Sequence, residues 1–167
     1  MDDSSATFAD VLEGNQRYAA SYELGGLAPV AAKGLAVLTC MDSRIDPLGM
    51  LGISRGDAKI MRNAGARVTD DVLRTLVLAT YLLGVSRFMV VAHTNCRMIG
   101  VSEHGVHEAV EQAGGPDTRS LSFLTSEDLE LSVRTDVQRV RSFPYLSGLA
   151  VGGFRYRIET GVLEQIC

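Results

Sequence analysis

The chain has 167 residues, of which 46% are hydrophobic and 22% are charged, and its formal net charge is -4. This composition is typical of a globular protein of one domain that can bury a sizeable core. The acidic balance, the absence of tryptophan and an aromatic content of 6% argue against a basic or base-stacking surface, so we expect no nucleic-acid partner.

The sequence gives no sign of export or of membrane insertion. The first twenty residues lack the positive charge followed by an apolar run that marks a secretory signal, and the longest apolar stretch is short and interrupted by Arg74. Three cysteines, an odd number, argue against a disulfide framework. We therefore expect a cytoplasmic protein without membrane association, whose thiols serve as ligands, nucleophiles or core residues.

The first third of the chain predicts a helix followed by two strands. Apolar residues recur at helical spacing over residues 7–22, with Thr7 placed to cap the first turn. After a stretch with Gly and Pro, the apolar run of residues 35–40 predicts a short buried strand. Pro47 suits the first position of a short helix, and residues 57–65 predict a second strand that ends in a glycine turn.

The middle of the chain continues this alternation. Asp70 and Asp71 favour a helix N-terminus, and residues 72–83 are apolar almost all round, which predicts a buried helix that Gly84 ends. Residues 86–93 are again apolar without alternation, as in a strand covered on both faces. The succession predicts an α/β fold in which helices flank a mostly parallel central sheet.

The remaining sequence predicts two helices and a strand pair. One helix ends near Gln112, and another spans residues 126–143 with one apolar face. Alternation after residue 150 predicts a hairpin that turns at residues 159–161. Neither an internal repeat nor a linker is evident, so the expected organisation is a single domain over residues 1–167.

Side chains that can bind a metal stand at the ends of two buried strands. Cys40 ends the first, and His93 ends the third and is followed by Cys96. Ligands of parallel sheets bind beyond the carboxyl ends of the strands, so these three residues can meet if the two strands are neighbours. Two thiolates and an imidazole suit Zn²⁺, and three protein ligands leave a position for an activated water. For either motif taken alone, a buried core residue remains the simpler interpretation.

The paired motifs also carry a family resemblance. "CMDSR" and "HTNC" form a C-x-D-x-R and H-x-x-C pair that resembles the β-class carbonic anhydrase family, and "IMRNAGARVTDDVLRTL" between them is similar to that family's connecting segment. The resemblance implies zinc on Cys40, His93 and Cys96. It implies that Asp42 and Arg44 form a catalytic pair beside the ion, where the paired carboxylate stays ionised and can accept a hydrogen bond.

The implied reaction is the reversible hydration of carbon dioxide to hydrogencarbonate by a metal-bound hydroxide. Because carbon dioxide is uncharged, we expect a small apolar pocket with Ala64, Gly65 and Ala66 in its lining. In some members of the family the aspartate becomes a fourth zinc ligand in a closed form, so we predict that Asp42 binds the metal at low pH and releases it at high pH. The resemblance further implies a homodimer or a dimer of dimers, with residues 1–24 as a helical arm that packs on the partner subunit.

Two alternatives to this function stay open. The same fold and ion can hydrolyse carbonyl sulfide or carbon disulfide, and Arg97, at a position where the family usually has glycine, leaves open a zinc-binding domain without turnover. His104 and His107 share a helix face and are candidates for a proton relay or a second metal, although exposed histidines are usually only solvated. We expect Arg62 to hold a loop or the anionic product, and Cys167 to be a free thiol.

Overall fold

The computed structural model describes residues 7–167. Its sheet contains the strands β1 (Leu35–Cys40), β2 (Ala58–Asn63), β3 (Arg87–His93), β4 (Ala150–Tyr156) and β5 (Leu163–Gln165). The strand order is β2-β1-β3-β4-β5. The first three neighbouring pairs are parallel and the pair of β4 with β5 is antiparallel. The predicted α/β fold with a mostly parallel sheet and a final hairpin is therefore confirmed.

Four α-helices accompany this sheet in the described range: α1 (Ala9–Ala20), α2 (Asp70–Leu82), α3 (Glu103–Gln112) and α4 (Leu129–Arg141). Among residues 7–167, no helix combines the length and the hydropathy that a membrane span requires. The short helix predicted from Pro47 is a 3-10 turn that begins only at Gly49.

Strand β1 lies inside the sheet, between β2 and β3, and each of its residues is buried. Helices α2 and α4 cover one face of the sheet through side chains such as Leu76 and Val137. The opposite face holds a smaller apolar cluster around Val37 and Val91. Because the strand is covered on both faces, its sequence shows a continuous apolar run rather than alternation.

Helix α1 differs from the prediction in its start. It begins at Ala9 after Phe8, and no side chain caps its first turn, so the predicted cap by Thr7 is wrong. The helix has no buried residue, and the apolar side chains of its stripe remain at least 44% exposed: Phe8, Val11, Leu12 and Tyr18. Arg55 contacts Tyr18 by a hydrogen bond of 2.8 Å to its hydroxyl, but no residue of the stripe is buried by the described part of this chain.

Helix α2 is capped by Thr69, whose hydroxyl oxygen accepts a hydrogen bond from the Val72 N–H at 3.3 Å. Asp70 and Asp71 occupy the first turn instead, where the helix dipole favours negative charge. The helix buries one face only. Its other face leaves Tyr81 and Leu82 65% and 71% exposed, so the prediction of a fully buried helix is wrong.

Helix α4 packs closely on β4 because a glycine of that strand leaves room for it. A Cβ atom added at Gly153 would lie 2.4 Å from Val133 Cγ1, inside van der Waals contact. Val133 and Val137 are each 1% exposed at this contact. A buried ion pair of 2.7 Å between Asp136 on α4 and Arg67 ties the helix to the segment after β2.

Candidate metal centre

The predicted neighbours β1 and β3 lie side by side, and their carboxyl ends bring the three candidate ligands together. The register pairs Thr39 with Val91, so Cys40 and His93 share one edge of the sheet. The Sγ atoms of Cys40 and Cys96 are 3.9 Å apart. All three ligand atoms lie within 4.8 Å of one another in buried surroundings, and residues 7–167 contain no other such group.

The imidazole of His93 is fixed so that one nitrogen points into this cluster. Its Nδ1 bonds the carbonyl oxygen of Thr94 at 2.8 Å, whereas its buried Nε2 has no hydrogen-bond partner among the described residues. A buried polar atom without a partner is costly unless it binds something else. Thr94 is itself held by Glu159, whose carboxylate accepts the Thr94 hydroxyl at 2.8 Å. The hairpin of β4 and β5 thus supports the orientation of the histidine.

The two thiols interact strongly because they are close and buried. The hydrogen bond with Cys96 holds the pKa of the Cys40 thiol well below its usual range, assisted by His93 and by the Gly65 N–H at 3.4 Å from Cys40 Sγ. The same hydrogen bond, together with burial, raises the pKa of Cys96. A divalent ion would remove this asymmetry, because it favours the thiolate form of both residues.

The donor set fits zinc. Two sulfur atoms bound tetrahedrally at about 2.3 Å from one ion lie about 3.8 Å apart. The observed separation of the Cys40 and Cys96 sulfur atoms is 3.9 Å, and His93 Nε2 supplies the third donor. Hard cations such as Mg²⁺ and Ca²⁺ prefer oxygen ligands, so a site made of two thiolates and one imidazole does not suit them.

Asp42 and Arg44 form a tight ion pair next to the three candidate ligands. The Asp42 Oδ1 atom accepts the backbone N–H and the Nε–H of Arg44, both at 2.9 Å, and Oδ2 accepts from Nη2 at 2.7 Å. These hydrogen bonds hold the pKa of the Asp42 carboxyl well below its usual range. Oδ2 also lies 3.9 Å from His93 Nε2, so an ionised oxygen faces the donor cluster.

Arg62 holds the loop that carries this pair. From β2, its guanidinium donates to three backbone carbonyl oxygens: that of Asp42 at 2.6 Å, that of Cys40 at 3.0 Å and that of Ile45 at 3.3 Å. The prediction that Arg62 holds a loop agrees with these contacts. The identity of the loop was not predictable, because carbonyl groups carry no residue-specific signal in a sequence.

Asn95 lines the cleft at the Asp42–Arg44 ion pair and contacts Arg44. Its backbone is left-handed with φ of 57°, a conformation that asparagine tolerates better than most residues. This turn directs its carbonyl oxygen to Arg44 Nη2 at 3.1 Å. No role for Asn95 was predicted from the sequence, although the preference of asparagine for this conformation is a usable signal.

A cleft of about 610 Å³ opens at the ion pair, and its lining is more polar than we expected. It is formed by Asp42, Ser43, Arg44, Asn95, Cys96 and Arg97. Residues 64–66 do not belong to this lining. Gly65 and Ala66 are buried, and the backbone N–H of Gly65 donates to Cys40 Sγ. Their role in substrate binding therefore stays a prediction.

The remaining candidates lie elsewhere. His104 is 3.2 Å from Glu108, and His107 bonds the Thr118 hydroxyl at 2.9 Å. Both histidines line a separate cavity of about 300 Å³ rather than the cleft. Cys167 is a half-buried free cysteine at the edge of the main core.

Comparison with known proteins identifies the family. The family model described as "Carbonic anhydrase" matches residues 35–163. A curated relative, β-carbonic anhydrase 1 of Mycobacterium tuberculosis, is 32% identical over 160 residues, which cover 94% of this chain and 96% of the relative. The chain belongs to the β-class carbonic anhydrase family. This membership confirms the predicted family and the predicted enzyme class, carbonic anhydrase.

Solved and curated relatives agree with this assignment. The crystal structure of a carbonic anhydrase from Streptococcus mutans superimposes with a TM-score of 0.89 at 33% identity, over 96% of this chain and 97% of that one. A carbon disulfide hydrolase of Acidithiobacillus thiooxidans is 28% identical over 91% of this chain and 85% of its own length. Relatives of this β-class carbonic anhydrase thus include proteins named for two different substrates.

Proposed function

We propose that this protein catalyses the zinc-dependent, reversible hydration of carbon dioxide to hydrogencarbonate. The observation that carries the proposal is the convergence of Cys40, His93 and Cys96 next to an ionised Asp42. In this proposal the three donors hold Zn²⁺. The bound ion supplies Lewis acidity, which makes water a nucleophile near neutral pH.

The residues around the metal site orient the reactants. Arg44 occupies Asp42 Oδ1 with two hydrogen bonds but Oδ2 with only one. Oδ2 therefore keeps the capacity to accept a hydrogen bond from the attacking water and to orient it toward the substrate carbon. Because the ion pair keeps the pKa of Asp42 low, this acceptor stays ionised at neutral pH.

Movement of Asp42 onto the metal at low pH stays a prediction. In the structure both of its carboxylate oxygens accept hydrogen bonds from Arg44, so metal binding by Asp42 competes with this ion pair. Crystals grown across a range of pH values test this. If water occupies the fourth metal position in all of them, Asp42 does not act as a ligand.

Asp42→Asn separates the catalytic role of Asp42 from metal binding. We expect it to retain one zinc per chain and to lose most carbon dioxide hydration in stopped-flow assays, since an amide accepts hydrogen bonds less well and carries no charge. Asp117→Asn is a matched control, because Asp117 makes the same three contacts with Arg119 outside the cleft. Equal hydration rates for Asp42→Asn and the unmodified protein contradict the proposed role.

Hydrolysis of carbon disulfide or carbonyl sulfide is the second candidate, and the named relative from Acidithiobacillus thiooxidans supports it. The polar lining of the cleft, with Ser43, Asn95 and Arg97, favours hydrogencarbonate as a reactant over an apolar sulfide. Stopped-flow hydration and sulfide-release assays on one zinc-loaded preparation decide between the reactions. Zinc binding without either activity identifies a metal-binding domain that lacks turnover.

We further propose that residues 1–167 form one domain and that residues 1–24 act as an arm that packs on a partner subunit in a homodimer or a dimer of dimers. Support comes from the exposed apolar stripe of α1 and from exposed Tyr81 and Leu82 on α2. Burial of such apolar area is a typical source of subunit affinity. Light scattering of a chain lacking residues 1–24 tests this, since a well-behaved dimer excludes the arm as the main contact.

A further inference from the structure

Arg97 differs from the other charged residues at the cleft because its charge is not neutralised within the described chain. Asp42 and Arg44 neutralise each other through two side-chain hydrogen bonds. Arg97 is exposed and belongs to the same lining, and no carboxylate of residues 7–167 forms an ion pair with it. The cleft thus carries one uncompensated positive charge beside the metal ligands.

An arginine without a protein partner is uncommon in the described part of the chain. The other arginines of the described range pair with carboxylates, or donate to carbonyl oxygens or a tyrosine, except for Arg134. Arg134 is exposed on α4 and does not belong to the cleft. Arg97 is therefore the guanidinium at this cleft whose donors remain available to a ligand.

A guanidinium presents its N–H donors in a planar fork that matches planar oxyanions. The two sides of the proposed reaction differ in this respect, because carbon dioxide is uncharged and hydrogencarbonate is a planar monoanion. We propose that Arg97 forms an anion-binding subsite at the mouth of the cleft that holds hydrogencarbonate and similar planar monoanions. This inference rests on the proposed function for its natural ligand, whereas the binding of an inert anion does not depend on turnover.

Nitrate is the probe, since it is planar, singly charged and not converted. Its affinity for the zinc-loaded protein is measured by calorimetry at an ionic strength of about 0.01 M, where screening is weak. We expect Arg97→Gln to weaken nitrate binding about three-fold, the size of an exposed ion pair, and Arg97→Lys to fall between the two. Arg134→Gln is the matched control and should leave the affinity unchanged. The difference should shrink at about 0.3 M salt.

Kinetics supply the second measurement. Arg97→Gln should raise the KM for hydrogencarbonate about three-fold, as for nitrate, and leave the KM for carbon dioxide unchanged. The kcat of dehydration should rise by the same factor as this KM, because no variant can alter the overall equilibrium constant.

The two proposals fail in different ways. If the protein binds zinc and shows the nitrate difference but does not hydrate carbon dioxide, the proposed function is wrong and the subsite stands. If hydration proceeds while Arg97→Gln and Arg97→Lys bind nitrate as the unmodified protein does, the subsite is wrong. Equal weakening by Arg97→Gln and Arg134→Gln also overturns it, because the effect is then one of net charge. Circular dichroism of each variant verifies that it is folded.

Discussion

Replacement of Arg62 by alanine tests whether the hydrogen bonds from Arg62 to the loop after β1, here called the loop clamp, determine metal affinity. The substitution removes three charge-assisted hydrogen bonds, of which those to the carbonyls of Asp42 and Cys40 are the shortest, at 2.6 and 3.0 Å. Such bonds contribute about 1.5–3 kcal/mol each. Because Arg62 is exposed, we take the lower value for these two, which gives about 3 kcal/mol for the loop.

Water recovers part of this energy when the side chain is removed, and loss of a group that supports a metal ligand typically weakens metal binding 10- to 100-fold. We therefore expect the zinc affinity of Arg62→Ala to fall about 10- to 30-fold, which corresponds to about 1.4–2 kcal/mol. Competition with a chromogenic chelator measures this change.

Arg87→Ala is the control for this experiment. Arg87 also donates to a backbone carbonyl, that of Lys33, but from the amino end of β3, away from the ligands. We expect its zinc affinity to stay within about two-fold of the unmodified protein. If Arg62→Ala retains zinc equally well, the loop geometry does not depend on the clamp and the reasoning is refuted.

Three further predictions concern the metal, the surface and the core. Cys96→Ala should lose zinc by elemental analysis, whereas Cys167→Ala should retain it; zinc retained by the first excludes the ligand set. The backbone N–H groups of Phe123 and Thr125 donate hydrogen bonds to the Glu103 carboxylate and lower its pKa below the ordinary 4.5. The stability that these bonds contribute is therefore present above about pH 4.5 and is lost as the pH falls through the lowered pKa of Glu103. The protection factors of the Phe123 and Thr125 amides against hydrogen exchange should therefore fall in acid, and Glu103→Gln should abolish this pH dependence; unchanged dependence in the variant contradicts the assignment. Gly153→Ala should lower the free energy of unfolding by about 1–3 kcal/mol in urea titrations, because the added Cβ overlaps α4. Gly14→Ala on the exposed helix α1 is the control and should not destabilise the protein. Equal stability of the two variants contradicts the close packing of α4 on β4.

The strands and the ligand cluster were predictable because the relevant signals are local. β1 and β3 are continuous apolar runs that end in metal-capable residues, and only their adjacency had to be assumed. The parallel pairing of the two strands confirms that assumption. The general rule that sites lie at the carboxyl ends of parallel strands then places Cys40 and His93 together.

Other features depended on information that a sequence does not carry. Apolar residues of α2 predict burial in general, but they do not distinguish the core from a surface that a partner covers, so the exposure of Tyr81 was missed. Asp70 and Asp71 mark the start of α2 in the sequence, but its N-cap is Thr69, since a threonine hydroxyl can also accept the hydrogen bond of the first turn. The polar character of the cleft arises from Ser43 and Arg97, whose proximity depends on two separate loops.

The proposed metal ligands Cys40 and Cys96 are 56 positions apart in the chain. An ion that joins them acts as a reversible crosslink, since it forbids most conformations in which the two ends of that segment separate. A covalent bridge over a loop of this length reduces the entropy that the chain gains on unfolding, which stabilises the folded state by about 4 kcal/mol. Chelation of the proposed ion should therefore lower the melting temperature as well as the activity.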